Sequence, residues 1–271
     1  MMKILLTWLT LLISLYAVTL EEKVDYLNNV KELIILTQTM RGDTNVYTKG
    51  EKMDVAVVNE DRKKVSASLK QLNEKFKLVD GSVDKQFVKL HTYMKSLNAV
   101  AADLDSLVTF KANSLLINEM LKLGAEVQTS FFANDSQLNQ EASAMMMKKI
   151  LPMTEHLGQL RGLSAGAVAC RSCNDEDALE YIKDYLALTA DDLDEFTIEM
   201  TALQSAYPKA YPQNLKLEAY SKGVKHFLVH IEDLVLEGKK MKSDECDLFK
   251  QGTKMIALSL EYYDMNEAVL K

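Results

Sequence analysis

The sequence predicts an all-α fold of two antiparallel four-helix bundles related by an internal repeat. Three observations carry that expectation. Ten glycines and three prolines in 271 residues are too few for an all-β chain, which turns roughly every 8–12 residues. The long stretches between them are rich in Leu, Ala, Lys, Glu and Met, the good helix formers. The chain also matches itself at a shift of 120 residues: "LTQTMRGDTNVYTKG" (36–50) falls on "HLGQLRGLSAGAVAC" (156–170), with Arg-Gly on Arg-Gly and a hydroxyl three residues after each arginine.

Each element follows from hydrophobic spacing and break signals. The first helix is expected from about Glu21 to Thr48, with Val24, Leu27, Val30, Ile34 and Ile35 on one stripe. The second covers about Lys52 to Val79 on Val58, Val65, Leu69, Leu72 and Phe76, and ends at "DGS" (80–82). A third runs from Val83 to Val108 and a fourth from about Asn113 to Phe132. "ANDSQ" (133–137) supplies loop and N-cap residues. The fifth, about Ser136 to Ala169, is expected to kink at Pro152, which removes an internal hydrogen bond. The sixth starts at "NDEDALEY", capped by Asn174 or Asp175, and ends before "YPKAYPQN" (207–214). Leu215 to Glu237 and Asp244 to Leu270 complete the set. The domain plan is therefore residues 21–134 for the first bundle and 135–271 for the second.

Residues 1–20 read as a targeting segment. One lysine, about 17 apolar or hydroxyl residues and then acidic charge make a signal peptide, or an uncleaved anchor at the short limit of a membrane span. An extracytoplasmic, periplasmic location follows, with membrane anchoring as the variant. In that setting Cys170 and Cys173 are a candidate disulfide, and bridging to Cys246 is the other pairing. A thiol-redox role for the Cys170/Cys173 pair is the third-ranked function.

The net charge of −7 and the scattered lysines exclude a phosphate-neutralising face, so no nucleic acid is expected as partner. Only four of 32 basic residues are arginines: Arg41, Arg62, Arg161 and Arg171. Two of these stand in the paired Arg-Gly motifs, where chance alone predicts well under one. On a helix, i and i+3 share a face, so Arg41 shares its face with Gln38 and Thr44, and Arg161 with Gly158 and Ser164. Each half thus offers a guanidinium and a hydroxyl on one patch. Gly42 and Gly162 cost helix stability and are read as positions of close approach by backbone or ligand. Arginine's planar fork suits a small planar oxyanion in two-point contact. Two arginines brought together by the halves would repel unless an anion sat between them.

In these two motifs, "LTQTMRGDTNVYTKGE" and "LGQLRGLSAGAVA", the chain resembles the nitrate- and nitrite-sensing (NIT) domain family. The resemblance spans the chain after residue 20 in order and spacing, with sharp identity confined to the motifs. It implies two four-helix bundles whose motif helices bring Arg41 and Arg161 to one nitrate or nitrite site, with Gly42 and Gly162 as packing positions. Thr44 and Ser164 are the candidate hydroxyl donors. Asp43 departs from the pattern, where an apolar residue such as Leu163 is usual; at i+2 it is expected to point away from Arg41's anion-binding face. Such sensors are also normally fused to an output domain, for which 271 residues leave no room. A membrane receptor or signalling protein is therefore the expected partner, alongside a homodimer.

Other features read as structural. His226 and His230 share a helical face but lack the further ligands a zinc site needs. "SAMMMKK" (143–149) is core packing, because three consecutive sulfurs cannot converge. "TADDLDEF" (189–196) is a solvated face. No metal and no cofactor are expected, and the absence of a nucleophile–base constellation or phosphate loop argues against an enzyme. The alternative to an anion sensor is a periplasmic helical scaffold or interaction protein with no small-molecule ligand. That alternative predicts arginines that point apart or pair with internal carboxylates.

Overall fold

The computed structural model describes residues 18–48, 55–76, 81–101, 104–169, 176–212, 216–239 and 247–270. Among them every regular element is helical. Four helices form the first bundle: α1 (Leu20–Thr48), α2 (Val55–Phe76), α3 (Gly81–Val100) and α4 (Ser106–Phe132). The second opens with α5 (Gln137–Met145), which continues through a π-helical turn (Met146–Ile150) into α6 (Leu151–Ala169). Then follow α7 (Glu176–Ala206), α8 (Leu217–Ile231) with a π-helical turn at Glu232–Leu236, and α9 (Leu248–Val269). Within the first half α1 packs on α2 and α4, and α3 on α4; within the second α6 packs on α7 and α9. The chain is two antiparallel four-helix bundles related by the internal repeat.

The predicted stripes are the buried ones. Val24, Leu27, Val30 and Ile34 of α1 are buried, as are Val58, Val65, Leu69 and Leu72 of α2. Ile35 is only half-buried, because at 3.6 residues per turn it sits about 100° around the helix from Ile34, at the margin of the buried stripe. The α3–α4 boundary lies earlier than the sequence spacing suggested. Asp105 caps α4 by accepting hydrogen bonds from the amides of Leu107 and Val108, so the chain breaks near residue 101 instead of after Val108.

The fifth predicted helix is distorted, but ahead of the proline. Pro152 has no amide hydrogen, and its ring crowds the carbonyl of Lys148. The backbone accommodates this as a π turn over Met146–Ile150, a device proteins use where the regular ladder is interrupted. Met145, Met146 and Met147 are all buried, so this strand of consecutive sulfurs is core, as expected. Close packing there is tight: a Cβ on Gly124 of α4 would lie 2.3 Å from the Met147 methyl and 3.0 Å from Val30.

The two halves meet where α1 and α4 contact the continuous α5–π–α6 rod. Lys23 and Asp135 bridge one end of that seam at 2.6 Å. "TADDLDEF" is more engaged than a solvated face: Asp192 pairs with His156, Asp194 with Lys225 and Glu195 with Lys149. No helix among the described residues is long and apolar enough to cross a membrane. The expected targeting segment lies almost wholly outside the described residues, as do Cys170, Cys173, Cys246 and the caps Asn174 and Asp175.

Candidate functional site

The C-terminal half of α1 carries a buried polar row that an ordinary core helix would not tolerate: Thr37, Gln38, Arg41, Thr44 and Asn45. Buried polar groups need partners: Thr37 donates to the Leu33 carbonyl beside Met120 of α4, while Gln38 and Arg41 reach into the second bundle. Arg41 is only 1% exposed, and Glu155 of α6 is fully buried. The guanidinium grips the carboxylate at two points: Nη1 on Oε1, and Nη2 on Oε2 at 3.2 Å. Arg41 Nη1 also donates to Ser114 Oγ of α4 at 2.8 Å, and the guanidinium lies over the Phe110 ring at 4.7 Å. Gln38 donates its amide to Glu155 Oε2 at 3.0 Å. Helices from both bundles therefore converge on one ion pair.

Arg161, the second motif arginine, stands on α6 six residues after Glu155 and is half-buried. It donates to Thr253 Oγ1 at 3.2 Å and stacks on Phe249 at 4.9 Å. Its Nε is buried without an acceptor, and among the described residues no carboxylate lies within ion-pair distance of it. Burial and then the repulsion of Arg41 pull its pKa below the ordinary arginine value, with Glu155 and Asp43 opposing. The two motif arginines thus feel each other's charge across the seam. Only one of them has a carboxylate in contact.

The remaining site residues divide. Thr44 and Ser164 are both buried near the seam. The Ser164 hydroxyl already donates to the Leu160 carbonyl at 2.5 Å, as helix serines do, so its proton is committed. Gly162 is a true close-approach position: a Cβ there would meet the Phe110 ring at 3.0 Å. Gly42 is not, since a Cβ there would meet nothing within 4 Å. The other tight glycines around the arginines are Gly158, where a Cβ would lie 3.3 Å from Arg41 Nη2, and Gly252 of α9, where a Cβ would lie 2.7 Å from the Arg161 Cβ. Asp43 interacts electrostatically with Arg161, the other motif arginine, and with Asp61 and Lys64. Burial, then a hydrogen bond with Asp61 and its repulsion, push the Asp43 carboxyl up to about 6, while Arg161 and Lys64 pull it down.

Several members of the site were not singled out from the sequence. Glu155, Ser114 and Phe110 sit outside the Arg-Gly motifs, and helical spacing alone cannot pair residues across two bundles. Gln159, one turn beyond Glu155, is fully buried. Its Oε1 accepts from the Tyr181 hydroxyl at 3.2 Å, while its Nε2 has no acceptor. Burial, the contact with Tyr185 and the charge of Glu155 raise the Tyr181 pKa, while Arg41 pulls it down; the phenol therefore lies within electrostatic reach of the ion pair. A buried carboxylate between two Arg-Gly segments, in "MTEHLGQLRG", was the legible signal.

Elsewhere, His226 and His230 lie ring to ring at 4.0 Å, and His230 Nδ1 bonds Gln251 at 2.9 Å. No group of three His, Cys, Asp or Glu among the described residues is placed to hold a metal.

Comparison with known proteins places the fold. No family model matches the chain, and no curated protein matches it. The structure of the NasR transcription antiterminator is similar, with a TM-score of 0.68 at 14% identity over 98% of this chain and 73% of that one. At that identity the likeness is one of fold.

Proposed function

We propose that this chain is an exported sensor module of the nitrate- and nitrite-sensing type. It binds a small planar oxyanion, nitrate or nitrite, at the seam between Arg41 and Arg161. The observation that carries the reading is a set of donors without acceptors. Arg161 feels the charge of Arg41 but has no carboxylate within ion-pair distance among the described residues, and the donors Arg161 Nε and Gln159 Nε2 have no acceptor. A buried donor left unmade costs about 1–3 kcal/mol, which an anion between the arginines would offset.

The paired Arg-Gly motifs that resemble the NIT family support the choice of ligand. The likeness of fold to a transcription antiterminator suits a regulatory module better than a catalyst. Binding across α1 and α6 would bias how the bundles pack, and a membrane receptor or signalling protein would read that change. The acidic chain, at −7, makes nucleic acid a poor partner.

The test is a thermal-shift titration with nitrate, nitrite, chloride and sulfate at equal ionic strength. Nitrate and nitrite raise Tm in the wild type and fail to do so in Arg161→Gln. A wild type indifferent to all four anions, or one whose response survives Arg161→Gln, sinks the reading.

A second reading has one observation in its favour. Arg41 is paired with an internal carboxylate, as a ligand-free helical scaffold requires, and the pair then serves as a static clasp between bundles. On that reading Arg161→Gln changes no anion response because none exists.

A further inference from the structure

We infer that the Glu155 carboxylate is a tethered competitor for the anion, seated in the Arg41 cradle and obliged to leave before ligand can enter. The inference rests on the sensor reading above and adds its gate and its selectivity.

A carboxylate and nitrite have the same recognition chemistry: one negative charge spread over two oxygens in a plane. Arginine's fork reads that geometry with two parallel hydrogen bonds. In this structure the fork reads Glu155, with Nη1 on one oxygen and Nη2 on the other. Ser114 and the face of Phe110 hold the guanidinium in place, and a Cβ at Gly158 would stand 3.3 Å from Nη2. The cradle is therefore already shaped for a planar O–X–O group.

Two further observations point to displacement in place of permanent pairing. Among the described residues, both hydrogen-bond partners of the Glu155 side chain, Arg41 and Gln38, belong to α1. One anion on Arg41 would thus take over the ion pair that joins the bundles here and leave Glu155 only the Gln38 amide on α1. One turn along α6, Gln159 is fully buried with its Nε2 lacking an acceptor. Its other amide end is held by Tyr181. The resting seam leaves this donor unused one turn from Glu155, while nitrate brings a third acceptor oxygen.

The internal carboxylate lowers the apparent affinity by the fraction of molecules in which the cradle is vacated. It also sets selectivity, since chloride has no plane and sulfate is tetrahedral. Only an anion that copies the carboxylate competes well with it.

The experiment is calorimetric titration of nitrite and nitrate into the wild type and Glu155→Gln, with thermal shifts for Glu155→Ala. Removing the competing charge tightens nitrite and nitrate binding by about tenfold or more, and chloride binding by clearly less. Glu155→Ala, which leaves a gap against Arg41, regains Tm with formate, nitrite or nitrate, but not with chloride or sulfate at equal ionic strength. Unchanged or weaker binding in folded Glu155→Gln overturns the inference. So does equal rescue of Glu155→Ala by chloride, or a variant that no planar anion restores. If the wild type responds to nitrite and the variants do not, the gate alone is wrong. Silence from the wild type and from folded variants alike removes the sensor reading as well.

Discussion

Arg41 and Glu155 make a buried pair whose two charges depend on each other. Desolvating such ions is costly, and removing one partner leaves the other uncompensated. Arg41→Ala is therefore expected to lower the unfolding free energy by about 3–5 kcal/mol. Arg41→Met combined with Glu155→Met recovers most of that loss, since matched apolar replacement of a buried pair is close to neutral. Urea denaturation of the two variants measures both. Asp43 gives a pH signature at the same scale. Its folded pKa of about 6 lies above the ordinary 3.8, so the protonated carboxyl contributes stability that is complete below about pH 4. That contribution is lost as pH rises through about 6. The groups facing it are Asp61, Arg161 and Lys64. Against Asp43→Asn, the wild type therefore loses Tm between about pH 4 and pH 6 and runs parallel above that. Parallel curves throughout the window would show that Asp43 is not held in its protonated form.

At the scale of elements, α1 and α6 are helices with two kinds of glycine. Gly42 adjoins Arg41 but stands in open space, so Gly42→Ala gains helix propensity and raises stability by about 0.5–1 kcal/mol. Gly158 lies against Arg41 and Gln38 at 3.3 and 3.5 Å. Gly158→Ala therefore lowers stability in spite of the same propensity gain, because a rigid ion pair has little room to shift. Opposite signs for the two variants in thermal melts are the expected result. The contrast also shows where sequence reading runs out. Helical periodicity buried Val24, Leu27, Val30 and Ile34 correctly, since one helix's own geometry sets those positions, and the internal repeat marked the Arg-Gly dipeptides. Which glycine is crowded depends on what the other bundle brings, and that information is not local. The π turn at Met146–Ile150 escaped for a related reason. Proline announces that a helix must yield, but the surrounding packing decides where it does so.

Over the whole molecule, the repeat supplies the architecture and the departure from it supplies the candidate chemistry. The 120-residue shift that aligns Arg41 with Arg161 puts Ile35 opposite Glu155, so the first half has no carboxylate at the position that Glu155 occupies. Of the two arginines, Arg41 has a contacting carboxylate and Arg161 has none among the described residues, with Asp43 acting on it electrostatically. The repeat, the two bundles and both arginines were legible in the sequence; the ion pair was not, because it joins residues 114 positions apart. The most direct measurement is the structure determined in saturating nitrite. The account predicts density for a planar anion touching the guanidiniums of both Arg41 and Arg161, with Glu155 rotated away from Arg41. An intact Arg41–Glu155 pair with no anion at the seam would contradict it.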